Sequence, residues 1–150
     1  MQPRITPNFL YKNCPRVVTH LTAMGEVPDQ ANLPKLLRHL VEIRVSQING
    51  CAYCQYLHAN EARSNGETQS RLDVLQAWRE VGCFSPAERA ALAWAENLTL
   101  LAHSQIDDAD FETAKDIFGE ATLIELTTIV LQINSWNRIS VGFRFQPDFE

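Results

Sequence analysis

The sequence has no run of about 20 apolar residues, the length a helix needs to cross a bilayer, so no segment is expected to span a membrane. It has no basic excess either. Its 13 lysines and arginines stand against 18 aspartates and glutamates, and the net charge of -5 argues against nucleic acid as a partner. No alternating apolar and polar stretch of useful length occurs, so no strands are expected. Met1 to Leu10 hold two prolines and no apolar core, which does not read as a signal peptide. A cytoplasmic location is the resulting expectation. Cysteine is scarce, four in 150 residues, and two of the four lie only three apart, too close for a useful structural staple. In a reducing compartment such a pair is catalytic or metal-binding rather than structural. Cys14 and Cys83 stand alone and read as ordinary small side chains.

What is present is an ordinary globular composition, 45% hydrophobic and 21% charged, in a length that fits one domain over residues 1–150. Helix punctuation recurs along the chain and predicts an all-α domain of about six or seven helices. Asn32-Leu33-Pro34 places a capping residue and an early proline before a helix from Lys35 to Ile48, with Gly50 as its stop. Ser85-Pro86-Ala87-Glu88 is a capping box opening a helix over Ala87 to Ala102, and Thr122-Leu123-Ile124-Glu125 reads as a second box. Asp108 to Phe118 ends at Gly119, Arg71 to Glu80 ends at Gly82, and a weakly marked helix lies near Pro15 to Met24. The segment from Leu123 to Phe145 is apolar on nearly every face, so it belongs in the core or between subunits, and at least a homodimer is expected.

The stretch that carries chemistry is Ser46-Gln47-Ile48-Asn49-Gly50-Cys51-Ala52-Tyr53-Cys54-Gln55-Tyr56-Leu57-His58. Asn49-Gly50 ends one helix and the apolar pattern resumes at once, so Cys51 stands at the start of the next. Cys54 follows Cys51 by three residues and His58 follows Cys54 by four, which puts all three side chains on one helix face. Unpaired N–H groups and the positive dipole end at a helix start favour a thiolate over a thiol. A histidine one turn further along can take or return a proton. Nucleophile, resolving thiol and base thus fall within one short segment.

Three other readings compete. A structural zinc site needs four ligands, and only one cysteine pair and one histidine are at hand, so no metal is expected. A thioredoxin-like fold needs a strand before its C-x-x-C, whereas Val41 to Ile48 reads as helix. The third reading makes both cysteines inert core residues. On the preceding helix His39, Glu42, Ser46 and Asn49 recur at steps of three, four and three and form one polar stripe. That stripe is either a solvated face or a proton path leading to His58.

Ser46 to Cys54 with His58 resembles the signature of the alkylhydroperoxidase-like branch of the carboxymuconolactone decarboxylase family. The likeness continues through Phe84 to Glu96 and Ile133 to Arg138, covering the chain from about Leu33 to Pro147. It implies an all-α fold that assembles into dimers, trimers or hexamers, and a peroxidase without a bound cofactor. It also implies that Cys54 attacks the peroxide, Cys51 resolves the product and His58 carries the proton. The partners it implies are a hydroperoxide substrate and an external dithiol reductant, dihydrolipoyl or thioredoxin-type. One departure is plain: where the family carries a glutamate twelve positions before the first cysteine, this chain has His39, and Glu42 lies one helical turn nearer. A redox-responsive binding or sensor protein would need the same residues, and a decarboxylase-like enzyme of the same family would use His58 without the thiols.

Overall fold

Capping, glycine turns and apolar stripes together divide the chain into helices. A computed structural model describes residues 1–149 and contains α1 (Pro7–Asn13), α2 (Pro15–Met24), α3 (Lys35–Ile48), α4 (Ala52–Ser64), α5 (Gln69–Asp73), α6 (Pro86–Thr99) and α7 (Asp108–Phe143). Short 3-10 turns occupy Asp29–Ala31 and Leu75–Glu80, and no strand occurs among the described residues. No helix among them is long and apolar enough to cross a membrane.

The start of α6 follows the sequence signal closely. Ser85 accepts the Glu88 N–H at 3.2 Å while the Glu88 carboxylate accepts the Ser85 N–H at 2.7 Å, with Pro86 at the first helical position. Two other cap assignments are overturned. Asn32 does not cap α3: it lies in the left-handed region (φ 51°) closing the 3-10 turn, and Pro34 precedes α3 without a side-chain cap. Thr122 opens nothing, because α7 is already running there, and its hydroxyl donates instead to the Ala31 carbonyl at 2.8 Å. The break in α7 is at Gly119, whose φ of 73° a residue with a Cβ rarely adopts. α1 is not among the helices the sequence punctuation predicts, and it buries no residue.

α3 is the central element and packs against α4, α6 and α7. Leu37, Val41 and Val45 on one side of it join Ala91 and Ala95 of α6 and Leu126, Ile129, Val130 and Ile133 of α7. Leu40 and Ile43 on the other side join Ala62, Leu72, Leu75, Trp78, Phe84 and Leu92. Each large side chain so buried contributes roughly 1.5–3 kcal/mol. Glu96 ties three elements together: its carboxylate accepts from Arg44 Nε at 2.6 Å, from Trp78 Nε1 at 2.9 Å and from Arg79. Burial would raise its pKa, but those donors outweigh burial and hold the carboxyl below its usual range. The apolar segment of α7 is not wholly buried: Ile124 is 64% and Leu131 49% exposed.

Candidate functional site

The site is built on the turn between α3 and α4. Gly50 has a φ of 66°, and around it the Cys51 N–H reaches the Ser46 carbonyl at 2.9 Å and the Gly50 N–H the Gln47 carbonyl at 3.2 Å. This pair of bonds is the Schellman closure that a glycine just past a helix end permits. It delivers Cys51 directly to the N-cap of α4, where its sulfur accepts the Cys54 N–H at 3.2 Å. The two cysteines are joined as a disulfide with Cα atoms 5.4 Å apart, and both are almost fully buried.

The polar stripe of α3 is not a solvated face. His39 and Ser46 are buried, and the Glu42 side chain is 13% exposed. Asn137 of α7 donates to Ser46 Oγ at 3.0 Å, and Asn49 donates to Asn137 Oδ1 at 2.9 Å and to Asn134 Oδ1 at 3.0 Å. These bonds fix the end of α3, and with it the cysteine turn, against α7.

At the other end of the stripe α3 and α4 bring four groups together. His58 Nδ1 lies 2.9 Å from Glu61 Oε2 and 3.3 Å from Glu42 Oε2, and His39 Nδ1 lies 3.1 Å from the same Glu42 oxygen. Burial would lower the His58 pKa, but the hydrogen bond to Glu61 and the charges of Glu42 and Glu61 outweigh it and raise it above the ordinary value. The same hydrogen bond from His58 holds Glu61 below the usual carboxylate range. His39 Nε2 lies 3.3 Å from Asn65 Nδ2, while its Nδ1 faces Glu42. The four polar atoms lie within 4.8 Å of one another, which is where a divalent cation would sit if the chain took one.

Cys54 and His58 line a common cavity of about 190 Å³, walled by Tyr11 of α1, Tyr53 and Leu57 of α4, Trp136 of α7 and Phe145. Burial and the neighbouring Tyr53 phenol push the Tyr11 hydroxyl up. Gln132 lines the same cavity, and its side-chain oxygen is buried with no hydrogen-bond partner. The fold thus sets the five residues singled out from the sequence on two facing helices: Cys51 and Cys54 lie at the α3–α4 turn, His39, Glu42 and His58 cluster further along, and His58 shares the cavity with Cys54. It adds Glu61, Tyr11 and Gln132, which the sequence reading missed. Glu61 follows His58 by three residues on the same helix face, and that spacing was the available signal.

The model of the family described as carboxymuconolactone decarboxylase matches residues 15–97. The uncharacterized protein YdfG of Bacillus subtilis is 37% identical over 132 residues, 88% of this chain and 90% of that protein. Among solved structures, one of a protein of unknown function from Agrobacterium tumefaciens, proposed there to be the antioxidant defence protein AhpD, is 32% identical. It superposes with a TM-score of 0.90 over 99% of this chain and 100% of that one. An uncharacterized peroxidase-related protein from Ralstonia eutropha, an alkylhydroperoxidase AhpD core, has a TM-score of 0.78 at 19% identity, over 93% of this chain and 75% of that one, and shows the shared fold.

Proposed function

The chain belongs to the carboxymuconolactone decarboxylase family, and from that premise we propose that it is a thiol-dependent peroxidase working through Cys54, Cys51 and His58. The observation that carries this reading is the shared cavity: Cys54 and a histidine favoured as its cation by Glu42 and Glu61 line one aromatic-walled pocket. In the proposed cycle the Cys54 thiolate attacks the terminal oxygen of a hydroperoxide. The S–O bond forms, the O–O bond breaks, and His58 supplies the proton with which the alcohol leaves. Cys51 condenses with the Cys54 sulfenic acid, releasing water and forming the disulfide. An external dithiol, dihydrolipoyl or thioredoxin-type, returns both thiols, which fits a cytoplasmic setting. Glu42 and Glu61 together take the part of the relay glutamate whose place His39 occupies.

Steady-state peroxide consumption with a dithiol donor tests this. Repeated turnovers are expected, whereas one stoichiometric oxidation would mean a redox sensor. Activity that survives blocking of the cysteines would mean lactone or decarboxylase-like chemistry at His58. The same reading includes a homo-oligomer, because Ile124, Leu131 and Val141 leave apolar surface on α7 exposed. Sedimentation at micromolar concentration is expected to give at least a dimer, and a monomer there contradicts it.

A further inference from the structure

The two sulfur-bearing residues of the disulfide do not share one opening. Cys54 lines the aromatic cavity with His58, while Cys51 lines a second cavity of about 150 Å³. Tyr53 and Phe145, edge to face with centroids 5.7 Å apart, border both, as does Ser140. The two openings differ in charge. In the first the cation is His58, already engaged by Glu42 and Glu61. In the second, Arg144 is the charged side chain among the described lining residues. Its place is fixed by the left-handed cap of α7, where its N–H reaches the Val141 carbonyl at 3.2 Å.

We propose that the disulfide is reduced through this second opening, by attack of a dithiol's thiolate on Cys51. The inference rests on the peroxidase reading only for the claim that reduction closes a cycle. A hydroperoxide is neutral and suits the aromatic cavity, whereas the attacking thiolate is an anion and is drawn to Arg144. A sulfur–sulfur bond forms between donor and Cys51, the Cys51–Cys54 bond breaks, and its electron pair goes to Cys54 as a thiolate beside the His58 imidazolium. The donor's second thiol then displaces Cys51, so the donor leaves as a disulfide and both cysteines are reduced. Attack at Cys54 would instead expel a Cys51 thiolate whose partner is one backbone N–H at 3.2 Å, weaker help than an adjacent cation. Cys51 is only 1% exposed, so the donor group must be slender, a dithiol on an extended arm rather than on a flat protein face.

The site of attack can be read directly on the oxidised protein. It is treated with limiting 2-mercaptoethanol, quenched in acid and alkylated, and the peptide holding both cysteines is sequenced by mass spectrometry. The expected product carries mercaptoethanol on Cys51 and the alkyl label on Cys54. The reverse pattern, or an even mixture, overturns the proposal. In parallel, Arg144→Glu is expected to slow reduction by dithiothreitol about tenfold at low salt, and Arg144→Lys to restore most of the rate. A rate unchanged in Arg144→Glu overturns it equally. Neither measurement uses a peroxide, so a protein that fails to consume peroxide still reports where the thiol attacks.

Discussion

Cys54→Ser is expected to abolish peroxide consumption, and Cys51→Ser to consume one equivalent and stop. Cys54 lines the cavity with His58, so it is the sulfur with both a binding space and a proton donor beside it. A serine hydroxyl there is a far poorer nucleophile at neutral pH, and the loss should be on the order of a thousandfold or more. Cys51, at the N-cap of α4, lines the other opening and is placed to close the ring with Cys54 rather than to meet the oxidant first. Without it the Cys54 sulfenic acid has no neighbouring thiol to condense with. With one equivalent of peroxide it should persist long enough to be trapped, and excess peroxide should over-oxidise it without restoring turnover. The check is peroxide consumed per protein together with the mass of the product. Exchanged phenotypes would mean that attacker and resolver are reversed, a real alternative because the helix-start N–H of Cys54 points at the Cys51 sulfur.

The second large effect is on the pH at which Cys54 becomes reactive. With its pKa raised, His58 stays protonated to a higher pH than an ordinary histidine, and a cation beside a thiol favours the thiolate. His58→Gln removes that cation and should move half-maximal Cys54 alkylation of the reduced protein upward by about one pH unit or more. Glu61→Gln and Glu42→Gln keep the imidazole but weaken its hold on the proton, so each should shift the profile upward by less. Glu61 has the shorter contact, 2.9 Å against 3.3 Å, and the larger expected effect of the two. His39→Gln should matter least, because His39 touches the relay only through carboxylates. If both glutamate variants leave the profile alone while His58→Gln shifts it, the carboxylates are packing and not proton supply.

The features legible in the sequence are those decided within one or two helical turns. The cysteine turn was legible because Gly50 is the residue that a Schellman closure requires, and the steps to Cys54 and His58 fix a common face. Ser85 was legible because the whole capping box lies in four residues. Thr122 carries the same pattern and misled, since whether a threonine caps or continues depends on the backbone upstream. Here Gly119 had already broken the helix and the chain had resumed it, leaving the Thr122 hydroxyl for Ala31. α1 was missed although Thr6 caps it and Pro7 opens it, because seven residues with none buried leave no apolar period to read. The stripe on α3 was visible, but its two readings were separated only by where α4 and α7 lie. The cavity was out of reach altogether, since Tyr11 and Trp136 come from opposite ends of the chain and meet at Cys54 only after folding.

The central claim is that one peroxide converts one Cys51–Cys54 dithiol to a disulfide. The most direct measurement is the mass and thiol content of the fully reduced protein after one equivalent of an organic hydroperoxide. The expected result is a loss of two hydrogens, four thiols falling to two, Cys14 and Cys83 still free, and one equivalent of alcohol formed. An unchanged mass with all four thiols retained would contradict it.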